Sequence, residues 1–359
     1  MTSDVAAAAL DEAKVGAFME KTLGDAAGLF AGVLAMLGDR LGLFRALADG
    51  GPASAAELAQ RASVNERYAL EWLRGMYAAG YLELDPNGRY ALPPEHAPVL
   101  AAEGGPFFLG GAYELTYGQL HVIDRVLESF RSGGGVSQSQ YPGELWEGMR
   151  RFSAGFYDNM LVQAWIPAIS GLKERLEQGV RWADLGCGAG RALVRLAEAF
   201  PNSTFVGYDQ FDGQLELARR GAAEAGVSNR VTFELLDASQ GLPETFDVIS
   251  TFDVVHDSFD PDGLVKAIRE GLADDGIYFL LEINCADDPA ENVGPLATLM
   301  YGVSVLYCMT TSLAGGGDGL GTCGLPPAEV SKLCERAGFS GVERLPIEDP
   351  FNALYVARP

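Results

Sequence analysis

Apolar positions in the first part of the chain recur at helical spacing and then alternate as in strands. Val15–Ala48 carries apolar residues three and four positions apart, and shorter amphipathic segments follow at 54–62 and 65–80. Two alternating runs, Tyr81–Leu84 and Arg89–Leu92, flank an Asp-Pro-Asn-Gly turn, in which glycine supplies the positive φ that a hairpin requires. Helices followed by a hairpin predict a winged-helix domain.

From Arg181 onward the pattern changes to apolar strands that alternate with amphipathic helices. Strands are predicted at 181–186, 203–209, 231–237, 246–253 and 277–283. This alternation favours a parallel, doubly wound sheet with right-handed crossovers. Gly341–Pro346 and Asn352–Arg358 follow as further strands. The five residues between them are too few for a crossover helix, so we expect an antiparallel hairpin.

These patterns divide the chain into three regions. We predict a helical winged-helix domain at 1–105, a helical connector that lines a cleft at 106–180, and an α/β domain at 181–359. The α/β domain should contain a mostly parallel, seven-stranded sheet with one antiparallel strand at the end.

The charge of the chain argues against a nucleic-acid partner. Among 359 residues, acidic side chains outnumber basic ones 49 to 26, and the formal net charge is −23. Phosphate binding depends on clustered Lys and Arg. The segment at 65–80, which would read DNA, carries Glu66 and Glu71 beside Arg67 and Arg74. We therefore expect the winged helix to serve packing or dimerisation.

Cysteine use and apolar stretches indicate the compartment. The five cysteines form no Cys-x-x-Cys pair, and with only three histidines no Cys/His zinc spacing occurs. Met1–Glu20 lacks the basic start of a signal peptide, and the longest apolar stretch, Ala26–Gly38, is too short to span a bilayer. The sequence predicts a soluble, cytoplasmic protein with no membrane association.

Glycines and acids follow three predicted strands in succession. The first strand runs into Asp-Leu-Gly-Cys-Gly-Ala-Gly at 184–190, where glycine lets the backbone approach a ligand at the carboxyl end of the sheet. The second strand ends at Asp209, whose carboxylate can bind two ribose hydroxyls. The third ends at Asp237, where an acid can meet an adenine amino group. A nicotinamide dinucleotide site is the alternative, but it requires a glycine where Arg191 stands.

These motifs resemble those of class I S-adenosylmethionine-dependent methyltransferases, and the chain looks similar to bacterial small-molecule methyltransferases with an N-terminal winged helix. The resemblance covers nearly the whole chain. It implies a Rossmann-like methyltransferase fold with S-adenosylmethionine as cofactor. It assigns Asp184, Gly186, Cys187 and Gly188 to the methionine portion, Asp209 and Gln210 to the ribose, Asp237 and Ala238 to the adenine, and Phe252 to the sulfonium end.

A histidine after the fourth strand is the candidate general base. In related plant and bacterial O-methyltransferases a His-Asp-Trp triplet stands here, and its histidine removes the acceptor proton. His256 and Asp257 match the first two positions, Ser258 replaces the tryptophan, and Glu282 matches a supporting glutamate. A second supporting glutamate is replaced by Gly324. The alternative is that His256 only shapes the pocket.

The resemblance implies in-line methyl transfer to a small-molecule acceptor, with O-methylation preferred, without a metal, in a homodimer formed through the N-terminal helices. Two other functions stay open: a cofactor-sensing winged-helix transcriptional regulator and a catalytically silent S-adenosylmethionine-binding protein.

Met309–Gly324 is a glycine-rich segment between predicted helices, and it serves as a mobile lid or as a plain loop. His96 and His121 are expected to be structural. Candidates for the acceptor pocket are Tyr157, Met160, Trp165, Tyr301 and Tyr307.

Overall fold

The computed structural model describes residues 10–359. The chain divides into two compact units, of which the first ends at Glu114 and the second comprises Leu115–Pro359. This boundary falls inside the predicted connector, 106–180. Residues 1–9, which begin the predicted first domain and the stretch considered as a leader, lie outside the described residues.

Helices precede a short hairpin in the described part of the first unit, as the winged-helix prediction requires. Gly42 has φ 67°, and this left-handed residue divides the predicted helix at Val15–Ala48 into two. Ser54 caps the third helix, because its hydroxyl accepts from Glu57 N while the Glu57 carboxylate accepts from Ser54 N. The elements are α1 Glu12–Arg40, α2 Leu43–Gly50, α3 Ala55–Ala62, α4 Glu66–Ala78, β1 Glu83–Leu84, β2 Tyr90–Ala91, α5 Ala97–Leu100 and α6 Gly110–Leu120, which crosses the boundary.

The second unit is built on a seven-stranded sheet. Its strands are β3 Arg181–Leu185, β4 Thr204–Asp209, β5 Val231–Leu235, β6 Phe246–Phe252, β7 Leu272–Ile283, β8 Gly341–Arg344 and β9 Asn352–Arg358. They lie in the order β5-β4-β3-β6-β7-β9-β8, and β9 is antiparallel to both of its neighbours. The prediction of a mostly parallel sheet with one reversed strand is confirmed. The reversed strand is the last in sequence and lies one position in from the edge.

Helices cover both faces of this sheet. After α6 the helices are α7 Ile123–Ser132, α8 Gly143–Phe156, α9 Ile166–Ala168, α10 Leu172–Gln178, α11 Arg191–Ala199, α12 Asp212–Glu224, α13 Pro261–Gly271, α14 Pro295–Val303, α15 Met309–Ala314 and α16 Pro327–Ala337, of which α11 and α12 lie on one face and α13 and α16 on the other. Two π-helical turns, Tyr157–Trp165 and Ser304–Cys308, continue α8 into α9 and α14 into α15. One apolar core lies beneath α11 and α12, and the other lies beneath α13 and α16. Both cores therefore support the edge where the parallel strands end.

The predicted lid at Met309–Gly324 is partly helical and closely packed. Its first residues form α15, and only the segment after Ala314 is a loop. A Cβ atom on Gly317 would lie 2.5 Å from Phe259 Cα, and a Cβ on Gly321 would collide with the Ser304 hydroxyl. The glycines therefore allow close approach of this loop to its neighbours rather than simply making it loose.

Within residues 10–359, two helical stretches are long and apolar enough to cross a membrane by length and composition alone. They are Glu12–Arg40, 17% buried over its most apolar window, and Pro295–Ala314, 39% buried. The core helix of a soluble protein meets the same test, so this observation is weak support for a membrane span.

Candidate active site

The glycine turn lies at the carboxyl end of β3 and is bonded to the end of β4. The amides of Gly186 and Cys187 both donate to Tyr208 O, at 2.8 and 3.1 Å. Gly188 N donates to Asp209 Oδ2 at 2.9 Å. Gly188 has φ 51°, and a Cβ added there would meet nothing within 4 Å. An open space therefore faces the middle of the turn, as a site for an approaching ligand requires.

The two acids predicted from the strand ends are brought to the same edge. Asp209 accepts from Gly188 N and from Phe211 N at 2.9 Å, and burial raises its pKa despite these donors. Asp237 Oδ1 accepts from Gln210 Nε2 at 3.1 Å, so Gln210 links the end of β4 to the end of β5. Ala238 follows and is buried. Gly188, Asp209 and Asp237 therefore lie at one edge of the sheet, after the three neighbouring strands β3, β4 and β5.

Asp184 and Phe252 lie near the carboxyl ends of the paired strands β3 and β6. Asp184 is buried and accepts from the Ser250 hydroxyl at 2.6 Å. Burial raises the pKa of Asp184 to about 7. The ring of Phe252 lies 5.8 Å from that of Tyr157 and 6.3 Å from that of Trp165. Aromatic side chains from the connector therefore pack directly against the predicted sulfonium end.

His256 lies in a 3-10 turn after β6, and Glu282 at the end of β7 holds its ring. His256 Nδ1 is 2.6 Å from Glu282 Oε2. The other carboxylate oxygen of Glu282 accepts from Val255 N at 3.0 Å and from His256 N at 3.4 Å. His256 Nε2 lies 3.2 Å from Asp257 Oδ1. The two residues that match the general-base pattern are thus in contact, with Glu282 fixing both the backbone and the ring.

The charges around His256 change its proton affinity. Burial disfavours the charged imidazolium, but the carboxylates of Glu282 and Asp257 outweigh this effect and raise the pKa of His256 well above its ordinary value. The Cys308 sulfur also lies within 4.8 Å of a ring nitrogen of His256. A histidine with a raised pKa is a stronger base once it has lost its own proton.

Asp253 and Asn352 belong to this cluster, although the sequence analysis did not identify them. Asp253 has φ 56°, an unfavourable conformation for a residue with a side chain. Its Oδ1 accepts from Asn352 Nδ2 at 2.6 Å. Burial, with the charge of Glu282 added, raises the pKa of Asp253 to about 8. The sequence signal for Asp253 was an acidic residue at the end of a strand, between two apolar neighbours. Asn352 comes next to it only through the pairing of β9 with Ile283.

The residues predicted for the acceptor pocket have different surroundings in the structure. Tyr157 contacts Phe252, and Met160 packs against the core beneath α11. Trp165 is fully buried, whereas Tyr301 is 43% exposed. Tyr307 is buried and its hydroxyl accepts from Gln138 Nε2 at 3.1 Å.

The other two histidines make local contacts. His96 Nδ1 is 2.9 Å from Tyr81 O in the first unit. His121 Nδ1 is 2.9 Å from Tyr117 O, but this side chain is exposed rather than packed, because it lies in the turn between α6 and α7.

Among the residues that the structure describes, two groups of possible metal-ligand atoms share His256. One contains Asp257 and Cys308, the other Asp253 and Glu282, and the atoms of each group lie within 4.8 Å of one another. In both groups a carboxylate already lies at 2.6 or 3.2 Å from a ring nitrogen of His256. Sequence spacing did not indicate this arrangement, because Cys308 and Glu282 come from separate elements.

Comparison with known proteins matches both parts of the chain. Residues 176–310 match the family model "Methyltransferase domain", and residues 29–102 match the "Rv2258c-like winged HTH domain". Ubiquinone biosynthesis O-methyltransferases are 28% identical over 168 residues in Neisseria meningitidis and 33% identical over 107 residues in a Chelativorans strain. These matches cover 45% and 30% of this chain and 64% and 42% of the relatives, so the chain spans less than two thirds of their length.

Solved structures share the fold across almost the whole chain. A protein from Nostoc punctiforme, described as a candidate O-methyltransferase, has a TM-score of 0.71 at 19% identity and covers 98% of this chain and 100% of its own. A mitomycin 7-O-methyltransferase has a TM-score of 0.68 at 18% identity, with 97% and 100% covered. These likenesses confirm the fold that the sequence predicts.

Proposed function

We propose that this chain, a winged helix-turn-helix domain followed by a class I methyltransferase domain, transfers a methyl group from S-adenosylmethionine to an oxygen of a small-molecule acceptor. The observation that carries the proposal is a pair of hydrogen bonds at adjacent residues of β4 and its end: Gly188 N donates to Asp209, and Gln210 Nε2 donates to Asp237. It places a glycine turn and two acids at one sheet edge, with His256 and Glu282 held at the next strand ends.

The residues at the sheet edge fit an adenosine-containing cofactor. Asp209 retains acceptor capacity for ribose hydroxyls beside its two backbone donors. Asp237 and Ala238 lie at the next strand end for the adenine, and Asp184 with the turn at 186–188 receives the methionine portion. Phe252 lies at the sulfonium end. When bound, S-adenosylmethionine supplies an electrophilic methyl group on a positively charged sulfur.

His256 takes the acceptor proton at Nε2 in this proposal. Glu282 holds Nδ1 at 2.6 Å, which leaves Nε2 as the ring nitrogen that takes the proton. A phenol of pKa ~10 gives its proton to an ordinary histidine of pKa ~6.5 at a cost of roughly 4.8 kcal/mol. The raised pKa of His256 reduces this cost. Asp257 at 3.2 Å from Nε2 stabilises the imidazolium that forms.

The proposed base predicts how methyl transfer depends on pH. Because its pKa is raised, His256 keeps its proton to higher pH than an ordinary histidine, and its neutral form increases as the pH rises through that pKa. We expect kcat/KM to rise with pH. Glu282→Gln removes the nearest negative charge, so it should move the rise to lower pH and reduce the plateau. The carboxyl groups that remain near the ring are that of Asp257, whose charge also raises the pKa of His256, and that of Asp253, whose own pKa is raised to about 8.

The matched control for this variant is Glu329→Gln, which removes an exposed carboxylate on α16. It should leave the pH profile in place. A Glu282→Gln profile that coincides with that of the unchanged protein would reject His256 as the titrating base.

A chelator is expected to leave methyl transfer unchanged. The carboxylates that contact His256 act as hydrogen-bond partners in this proposal, so no cation is required. The measurement is turnover before and after dialysis against EDTA, with metal content determined by mass spectrometry. Loss of turnover that only added metal restores would show that a cation occupies the cluster.

The direct test of the function separates binding from chemistry. Purified protein is titrated with S-adenosylmethionine in a calorimeter and then assayed for release of S-adenosylhomocysteine with a panel of phenolic and other small hydroxylated acceptors. Binding with turnover supports the proposal. Binding without turnover for every acceptor indicates a silent binding protein, and salt-sensitive retention of DNA indicates a regulator.

A second copy of the chain is expected to cover the apolar face of α1. Leu23 and Phe30 are 72% and 68% exposed, an unusual exposure for large apolar side chains along one helix. Leu23→Asp should convert a dimer into a monomer in analytical ultracentrifugation. Phe130→Asp, on an equally exposed residue of α7, is the control. A monomeric unchanged protein, or one that floats with lipid vesicles, would contradict the dimer.

A further inference from the structure

Two cysteines that are far apart in sequence meet beside the proposed active site. Cys285 follows the end of β7, and Cys323 lies in the glycine-rich loop after α15. Cys285 Sγ is 3.7 Å from the Cys323 carbonyl oxygen, and this contact brings the two cysteines together. The separation of 38 residues explains why spacing gave no indication of this pair.

The two thiols differ in reactivity. The neighbouring Cys285 side chain, with the nearby charge of His256 added, lowers the pKa of Cys323 to about 7. The same contact raises the pKa of Cys285. Cys323 is partly exposed and Cys285 is buried. Cys323 is therefore the thiol that a small oxidant reaches and that attacks it.

We propose that Cys285 and Cys323 form a reversible disulfide when the protein meets a hydroperoxide. The Cys323 thiolate attacks one oxygen of hydrogen peroxide, the O–O bond breaks, and Cys323 becomes a sulfenic acid, while the other oxygen leaves as hydroxide and takes up a proton to give water. The Cys285 sulfur then attacks the sulfenic sulfur, the S–S bond forms, and the sulfenic hydroxyl leaves with the Cys285 proton as a second water. In total, two thiols and one peroxide give one disulfide and two waters.

The bond would connect the glycine-rich loop to the strand end that holds the catalytic cluster. Cys285 comes three residues after Glu282, and Asn284 between them is fixed by bonds to Asp349 O and Phe351 O. On the loop side, Thr322 N donates to the Ser304 hydroxyl at 3.2 Å. The disulfide would therefore prevent the loop from moving away from the cluster. We expect oxidation to lower turnover several-fold, a consequence that rests on the proposed function, whereas the disulfide does not.

The test uses the full-length reduced protein and hydrogen peroxide in increasing amounts. Intact-mass spectrometry should show loss of two hydrogens, and peptide mapping should join the peptides of Cys285 and Cys323. Cys323→Ser and Cys285→Ser should each abolish the bond, and Cys285→Ser should leave a sulfenic acid that dimedone traps at Cys323. Cys334→Ser, at a buried thiol elsewhere, is the control. A disulfide through another cysteine, or overoxidation of Cys323 without any disulfide, would overturn the proposal.

Methyl transfer provides the second measurement. Turnover should fall on oxidation, return with dithiothreitol, and be insensitive to peroxide in Cys285→Ser. Equal turnover of both forms would overturn the regulatory effect. If the disulfide forms but neither the reduced nor the oxidised protein transfers a methyl group, the redox proposal stands and the proposed function is contradicted.

Discussion

Replacing His256 with alanine is expected to lower kcat for methyl transfer about a hundredfold to ten-thousandfold. The imidazole is the basic group that Glu282 holds in a fixed orientation at 2.6 Å, and its removal leaves the acceptor hydroxyl without a proton acceptor. Water entering the space is a far weaker base. The measurement is single-turnover release of S-adenosylhomocysteine at saturating acceptor, which separates chemistry from binding.

His121→Ala is the matched control, because His121 is an exposed histidine of the same unit outside the cluster. Its turnover should equal that of the unchanged protein. The affinity of His256→Ala for S-adenosylmethionine should change little, since the glycine turn and Asp209 are bonded independently of the imidazole. If His256→Ala turns over at the unchanged rate, positioning alone drives the reaction and the histidine only shapes the pocket.

The geometry of the proposed cofactor edge could be predicted from sequence because it follows from topology. In a parallel sheet every strand delivers its carboxyl end to the same edge, so residues that follow successive strands must meet there. The turn at Gly188 and the acids Asp209 and Asp237 are therefore neighbours, although 49 residues separate the first from the last. The hairpin of β8 and β9 was predictable for a similar reason, since the link between them is too short for a helix.

Contacts that depend on side-chain packing could not be predicted in this way. Asn352 reaches Asp253 only because the antiparallel register pairs it with Ile283. Cys323 reaches Cys285 because glycines allow its loop to pack closely. Aromatic residues were the poorest guide to the acceptor pocket, since Trp165 is fully buried in the core and Tyr301 is exposed. An aromatic side chain carries no positional signal comparable to a strand end.

Asp209→Ala should weaken binding of S-adenosylmethionine by about a hundredfold or more. The Asp209 carboxylate is proposed to make two hydrogen bonds with the ribose, and charge-assisted hydrogen bonds contribute roughly 1.5–3 kcal/mol each. A loss of about 1.4 kcal/mol in binding free energy raises the Kd tenfold. The variant also loses the bond at 2.9 Å that fixes the Gly188 amide, so the turn loses its support. Isothermal titration calorimetry gives the Kd directly.

Two variants separate the ribose contact from the support of the turn. Asp209→Asn keeps the shape and one acceptor oxygen, so its Kd should lie between those of the unchanged protein and Asp209→Ala. Asp212→Ala removes a carboxylate that is 68% exposed at the start of α12 and should bind normally. Circular dichroism establishes that each variant is folded. If folded Asp209→Ala binds as tightly as Asp212→Ala, the acid at the end of β4 does not contact the cofactor, and the assignment of this sheet edge to S-adenosylmethionine is wrong.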